Sequence, residues 1–166
     1  MDMTTFSDAL AIAIRDSLYR SHTDEHDGVA GYCILLYCDL GTVGGISMSR
    51  SFADLPENEP ALFVPVDWPT EHVTRAFDAA SDLLARVGDG LPYETRVRAL
   101  VEDAVEALQA VRSTDTALRD AILMVVCPDG SDLWDELETD ALRRLNSAAV
   151  YEAWLAMLRE ARNFVP

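Results

Sequence analysis

VAGYCILLYCD, residues 29–39, is the stretch that decides the fold. It is apolar almost throughout, rich in strand-forming side chains, and shows no polar alternation. Such a strand is buried on both faces, near the middle of a sheet. Turn glycines follow in LGTVGG. ISMSRSF (46–52) then alternates apolar Ile46, Met48 and Phe52 with polar residues, as a hairpin partner does. AILMVVC (121–127) reads as a second buried strand, closed by the turn PDGSD.

Helices flank these strands. Phe6, Leu10, Ile14 and Leu18 recur every four residues, with Ala9, Ile12 and Ala13 beside them. Residues 5–20 therefore read as an amphipathic helix capped by Thr5 or Ser7. ADLPENEP (53–60) is a loop by composition. ALFVPVDW is a short edge strand or an extended approach to a helix, because Pro65 disfavours a central strand. A helix then runs from Glu71 to about Val87, with Val73, Phe77, Leu84 and Val87 as its stripe and Gly88 as its stop. Pro92 opens a long helix whose stripe is Val97, Leu100, Val101, Ala104, Val105, Leu108 and Val111. LWDELETDALRRLN is helical in part. SAAVYEAWLAMLREAR is a final helix with Val150, Trp154, Met157 and Leu158 inward. This order is neither a regular βα alternation nor all-helical. It predicts an α+β fold, a small, mainly antiparallel sheet packed against several helices, as a single domain over 1–166.

The 166 residues carry 29 acids against 13 bases, for a formal charge of −16, and every base is arginine. A field of that sign repels nucleic acid and anionic membranes and attracts basic partners. No apolar run approaches the ~18 residues of a membrane span, and the acidic start MDMTTFSD is not a secretory signal. Cys33, Cys38 and Cys127 are odd in number and lie in apolar runs, so they read as buried, reduced thiols rather than a disulfide framework. Cys33 and Cys38 differ in strand parity and should face opposite ways. A cytoplasmic protein is expected.

Few motifs carry chemistry. His22-Thr-Asp-Glu25-His26 has the H-x-x-E-H spacing that places two zinc ligands and a general base on one helical face, with Glu102 or Glu106 as a third ligand. Asp27-Gly28 stops a helix after one turn, so a polar loop is the simpler reading. Gly41 to Gly45 lacks the lysine of a phosphate loop. No cofactor is expected. The densest acidic stretch holds Asp129, Asp132, Asp135, Glu136, Glu138 and Asp140 around Trp134. A tryptophan among acids has the composition of an interface anchor with a charged rim. Asp132, Trp134, Asp135, Glu136 and Glu138 are the candidate partner-binding residues.

Three segments in order resemble a bacterial family. They are Gly31-Tyr32-Cys-Ile-Leu-Leu36-Tyr37-Cys-Asp39, Pro65-Val-Asp67-Trp68, and the apolar strand 121–128 followed by Leu142-Arg-Arg-Leu145-Asn146. The pattern is similar to that of the domain-of-unknown-function family 4303 over residues 25–160. Gly44-Gly45 and Ser47-Met-Ser depart from that family's more polar segment. The resemblance implies an α+β domain of bacterial origin with no established enzyme activity.

The expected function is a non-catalytic binding protein of the immunity type, whose acidic field steers it onto a basic toxin partner. The enzymatic alternative is a small metal-dependent hydrolase using His22, Glu25 and His26. A homodimerising domain is the third reading.

Overall fold

The computed structural model describes residues 5–21, 28–68, 74–87, 90–128 and 132–163. Helix α1 (Phe6–Ser21) precedes the hairpin β1 (Val29–Tyr37) and β2 (Thr42–Ser49). A one-turn helix α2 (Arg50–Ala53) leads into 3₁₀ turns over Pro56–Phe63, Pro65–Asp67 and Thr74–Phe77. Helices α3 (Asp78–Leu84) and α4 (Tyr93–Thr114) follow. Strand β3 (Ile122–Val126) and helices α5 (Asp132–Leu145) and α6 (Ala148–Asn163) complete the chain.

The α+β class holds, and the sheet is mixed. Its order is β2-β1-β3. β1 pairs antiparallel with β2, Cys33 opposite Ile46, and parallel with β3, Cys33 opposite Met124. The apolar strand is thus central, because both of its edges are paired and both of its faces are covered. Side-chain parity divides the core in two. Tyr32, Ile34, Leu36, Leu123 and Val125 face the main core, where α1, α3, α4 and α5 pack. Cys33, Leu35, Met48 and Met124 face a smaller core with Trp68 and Leu142. Cys33 and Cys38 fall on opposite sides, as their parity requires.

The helix stripes on the main side are buried as read. Phe6, Leu10, Ile14 and Leu18 line α1, and the seven apolar stripe positions of α4 are all buried. Thr5 caps α1 reciprocally: its Oγ1 accepts from the Asp8 amide (3.1 Å), and Asp8 Oδ2 accepts from the Thr5 amide (3.1 Å). Buried Ser17 and Tyr32 join α1 to β1 through a 2.5 Å hydroxyl contact.

Residues 56–67 form 3₁₀ turns rather than a loop and an edge strand. Pro56, Pro60 and Pro65 remove the N–H groups a ladder would need, while Trp68 Nε1 donates to Ala61 O (2.9 Å) and folds the segment over the sheet. Two glycines make room for the aromatic side chains on either face. A Cβ on Gly31 would stand 2.9 Å from Trp68 Cη2, and one on Gly45 would stand 2.6 Å from both Phe77 Cζ and the Tyr32 hydroxyl.

Two polar side chains tie α5 back to β3. The Asn146 amide acts as an extra strand residue, accepting from Leu123 N (2.8 Å) and donating to Leu123 O (2.7 Å). Arg112 on α4 donates to the carbonyls of Leu118 (3.0 Å), Ala121 and Leu145, closing three chain segments around one guanidinium.

Candidate functional site

The two faces of the sheet are covered unequally. On the main side, helix residues reach full burial. On the other side α6 lies over the sheet, and all its residues with described side chains are half-buried or exposed. Tyr151 and Trp154, stacked with ring centroids 6.0 Å apart, hold it against the smaller core. Of the residues expected inward, Trp154 packs against the smaller core, while Val150, Met157 and Leu158 line the hollows beside it, so the contact stops short of closure.

That incomplete contact leaves two adjoining hollows. A cavity of about 360 Å³ lies between β3, α5, α6 and residues 63–65. Its walls are Phe63, Val64, Pro65, Met124, Val125, Val126, Leu142, Trp154, Met157 and Leu158, and its polar lining is Asp135, Glu138 and Thr139. An open groove of about 760 Å³ continues between α6 and residues 59–63, with Glu59 and Glu160 at its rim. The two share Phe63 and Met157. Four carboxylates and no basic side chain line them among the described residues.

Helix α5 creates this arrangement because it straddles the sheet edge. One stripe, Trp134, Ala141 and Leu145, enters the main core. The adjacent stripe, Asp135, Glu138, Thr139 and Leu142, lines the cavity. Glu136, Asp140 and Arg143 face solvent or lie near it, in two separate sets of ion pairs. Arg98 bridges Glu94 (3.1 Å) and Glu136 (3.5 Å). Arg143 holds Asp140 (2.6 Å), and Arg144 grips Glu102 through both oxygens at 2.6 Å. These exposed pairs contribute little stability each. They engage Arg98, Arg143 and Arg144 with Glu94, Glu102, Glu136 and Asp140, none of which lines the two hollows.

Glu138 is the unusual member. It is half-buried against apolar walls and accepts one hydrogen bond, from the Cys127 amide (2.7 Å), among the described residues. Desolvation raises its carboxyl from 4.5 to about 7; the Cys127 amide opposes that rise, and the neighbouring Asp135 charge adds to it. The group therefore holds its proton more readily than an exposed glutamate does. It can accept a cation or exchange a proton with whatever enters the cavity. Beneath it, burial pushes the Cys33 thiol well up, and the charge on Glu138 adds to that effect.

The five residues read as one partner surface separate into different environments. Trp134 is 1% exposed, its indole N–H directed at the Tyr93 hydroxyl (3.4 Å). It is a core side chain and not an exposed anchor, because it lies seven and eleven residues before Ala141 and Leu145 on the same buried stripe. Asp135 and Glu136 are exposed, and Glu136 is shared with Arg98. Glu138 faces the cavity. Asp132 opens α5. His22, Glu25 and His26 lie outside the described residues. Among the described residues no three His, Cys, Asp or Glu side chains gather as a metal site, and no helix is long and apolar enough to cross a membrane.

The aromatic anchor of the groove side is Trp154, and Phe63 and Met157 join the two hollows. Sequence spacing marked Trp154 and Met157 as inward, but nothing marked Phe63. Comparison of the chain with protein-family models, with curated proteins and with solved structures gives no match.

Proposed function

We propose that this chain is a non-catalytic binding protein that seats a basic partner protein in the groove over the α6 side of the sheet. One observation carries the reading: a half-covered apolar groove is lined by Asp135, Glu138, Glu59 and Glu160, with no base in its lining among the described residues. Apolar walls supply the area that drives association, and the carboxylates select the charge of what enters. The overall charge of −16 acts in the same direction at long range. An immunity-type protein that caps a basic toxin has this design, and the resemblance to family 4303 is compatible with it. A second copy of the chain is a poorer occupant, since it would bring another −16 against the same acidic rim.

Selection from a random displayed peptide library tests the reading without a known partner. Enriched peptides should combine apolar residues with arginine or lysine. Their association should slow ten-fold or more between low and high salt, an order expected for steered encounter. Hydrogen exchange should slow in residues 59–65 and 150–160 on binding. Enrichment of neutral or acidic peptides, or protection confined to the α1 side, would overturn it. So would a stable dimer whose interface is this groove.

A further inference from the structure

We propose that the cavity beside β3 is a side-chain pocket that receives one long cationic residue of the partner, its alkyl stem between Phe63, Leu142 and Met157 and its charged head at Glu138 and Asp135. The inference rests on the groove reading for the source of the cation, and adds which residue class enters and where.

At about 360 Å³ the cavity falls in the range of small-ligand sites. It is too small for a helix or a strand of a partner and sufficient for one or two side chains. Its chemistry is two-part. Apolar side chains from four chain segments make the walls, and two carboxylates one helical turn apart on α5 make the polar end. Lysine and arginine have that construction, a hydrophobic stem with a charged tip. An apolar side chain would leave Glu138 desolvated and unanswered, and an acidic one would be repelled. Trp154 adds apolar area to the wall.

The pocket is also prepared for a cation in energetic terms. Burial disfavours the ionised form of Glu138, while the Cys127 amide holds one of its oxygens in place. An incoming ammonium or guanidinium supplies the missing counter-charge and restores ionisation, so binding should tighten as pH rises from 6 to 8. Among the described residues, the titratable groups coupled to Glu138 are Asp135 on its own helix and the buried Cys33 thiol beneath it; neither supplies a positive counter-charge.

The test needs no partner. n-Pentylamine and N-butylguanidine are titrated into the folded protein, with 1-pentanol and pentanoate as controls, following methyl signals of Met124, Met157, Leu142 and Leu158. The cations should bind saturably and shift those signals, at least ten-fold more tightly than pentanol, and should lower the midpoint of the Glu138 carboxyl titration. E138Q keeps an acceptor for the Cys127 amide and should weaken cation binding at least ten-fold while leaving pentanol unchanged. Asp135→Asn should weaken it less. Equal affinity for amine and alcohol, or an unmoved Glu138 midpoint, would overturn the proposal. Basic peptides that bind the groove while the amines do not would sink the pocket and leave the groove standing. Amine binding without any enriched basic peptide would do the reverse.

Discussion

Replacing Glu138 by glutamine should stabilise the protein, increasingly as pH rises. The folded carboxyl titrates near 7 and the unfolded one near 4.5, so the folded state holds the extra proton between those values. Wherever the native state binds more protons, stability falls with rising pH. Each tenfold difference in proton affinity is about 1.4 kcal/mol. Linkage over that interval puts the cost of wild-type Glu138 at about 1 kcal/mol at pH 5.5 and about 3 kcal/mol at pH 8.5. Glutamine is never charged, and its carbonyl still accepts from the Cys127 amide. The stability gain of E138Q should therefore grow by about 2 kcal/mol across that window. Depressed carboxyls such as Glu102 and Asp140, held down by Arg144 and Arg143, are common to both proteins and cancel. Urea unfolding at several pH values measures the difference directly, since equal m-values would show that the unfolded states are comparable. Across pH 5.5 to 8.5 the chain stays above its sequence pI of about 4.3 and keeps a net negative charge. A gain independent of pH, or a net loss of stability at pH 8, would refute the claim that Glu138 is desolvated in the fold.

Further outcomes follow from the packing. Trp134→Ala should cost about 3–5 kcal/mol in unfolding experiments, as a core tryptophan does, without loss of peptide or amine binding per folded molecule. Gly45→Ala should cost about 1–3 kcal/mol, because its Cβ would lie 2.6 Å from Phe77 and Tyr32 and one of them must move. Asn146→Ala should cost about 2–3 kcal/mol, leaving both polar groups of Leu123 without their side-chain partner. Cys33, fully buried on the central strand, should react with a thiol reagent only upon unfolding; rapid labelling of the native protein would contradict its placement.

The fold was legible where one physical signal dominated. β1 carries an unbroken apolar run, and only a doubly covered central strand accommodates one. The stripes of α1 and α4 repeat often enough that no other periodicity competes. The parallel partnership of β1 with β3 was not legible, because strand order across the intervening helices is set by tertiary packing. In residues 61–67 the apolar pattern suggested extended chain, and in 53–60 composition suggested a loop; the prolines decided for 3₁₀ turns in both. On α5 the acidic composition overrode a readable spacing. Trp134, Ala141 and Leu145 keep helical register with the core, and Glu138 lies four residues from both Trp134 and Leu142, which places it on the buried side. Spacing thus separates Glu138 from Glu136, whereas charge alone groups them. Phe63 gave no sequence signal, since its position depends on how the 3₁₀ turns fold over the sheet.

The energetic cost of Glu138 and the shallow seating of α6 belong together. A domain built only for stability would place an apolar residue at 138 and draw α6 down until the cavity closed, gaining roughly 25 cal/mol for each Å² of apolar surface removed from water. Instead the side of the sheet that keeps a desolvated carboxylate is also the side where no described side chain of the covering helix is fully buried. Neither feature can be explained by the main core, whose packing is complete across α1, α4 and α5. Local stability is lowest where a protein must admit something else, and stability left unclaimed at one site is a common companion of function. E138Q joins the two arguments. If the carboxylate is kept for a partner's cation, the same substitution that strengthens the fold at pH 8 must weaken cation binding, and the two effects must share one titration. Greater stability with undiminished cation binding would separate them, and the cavity would then be a packing defect with no bearing on recognition.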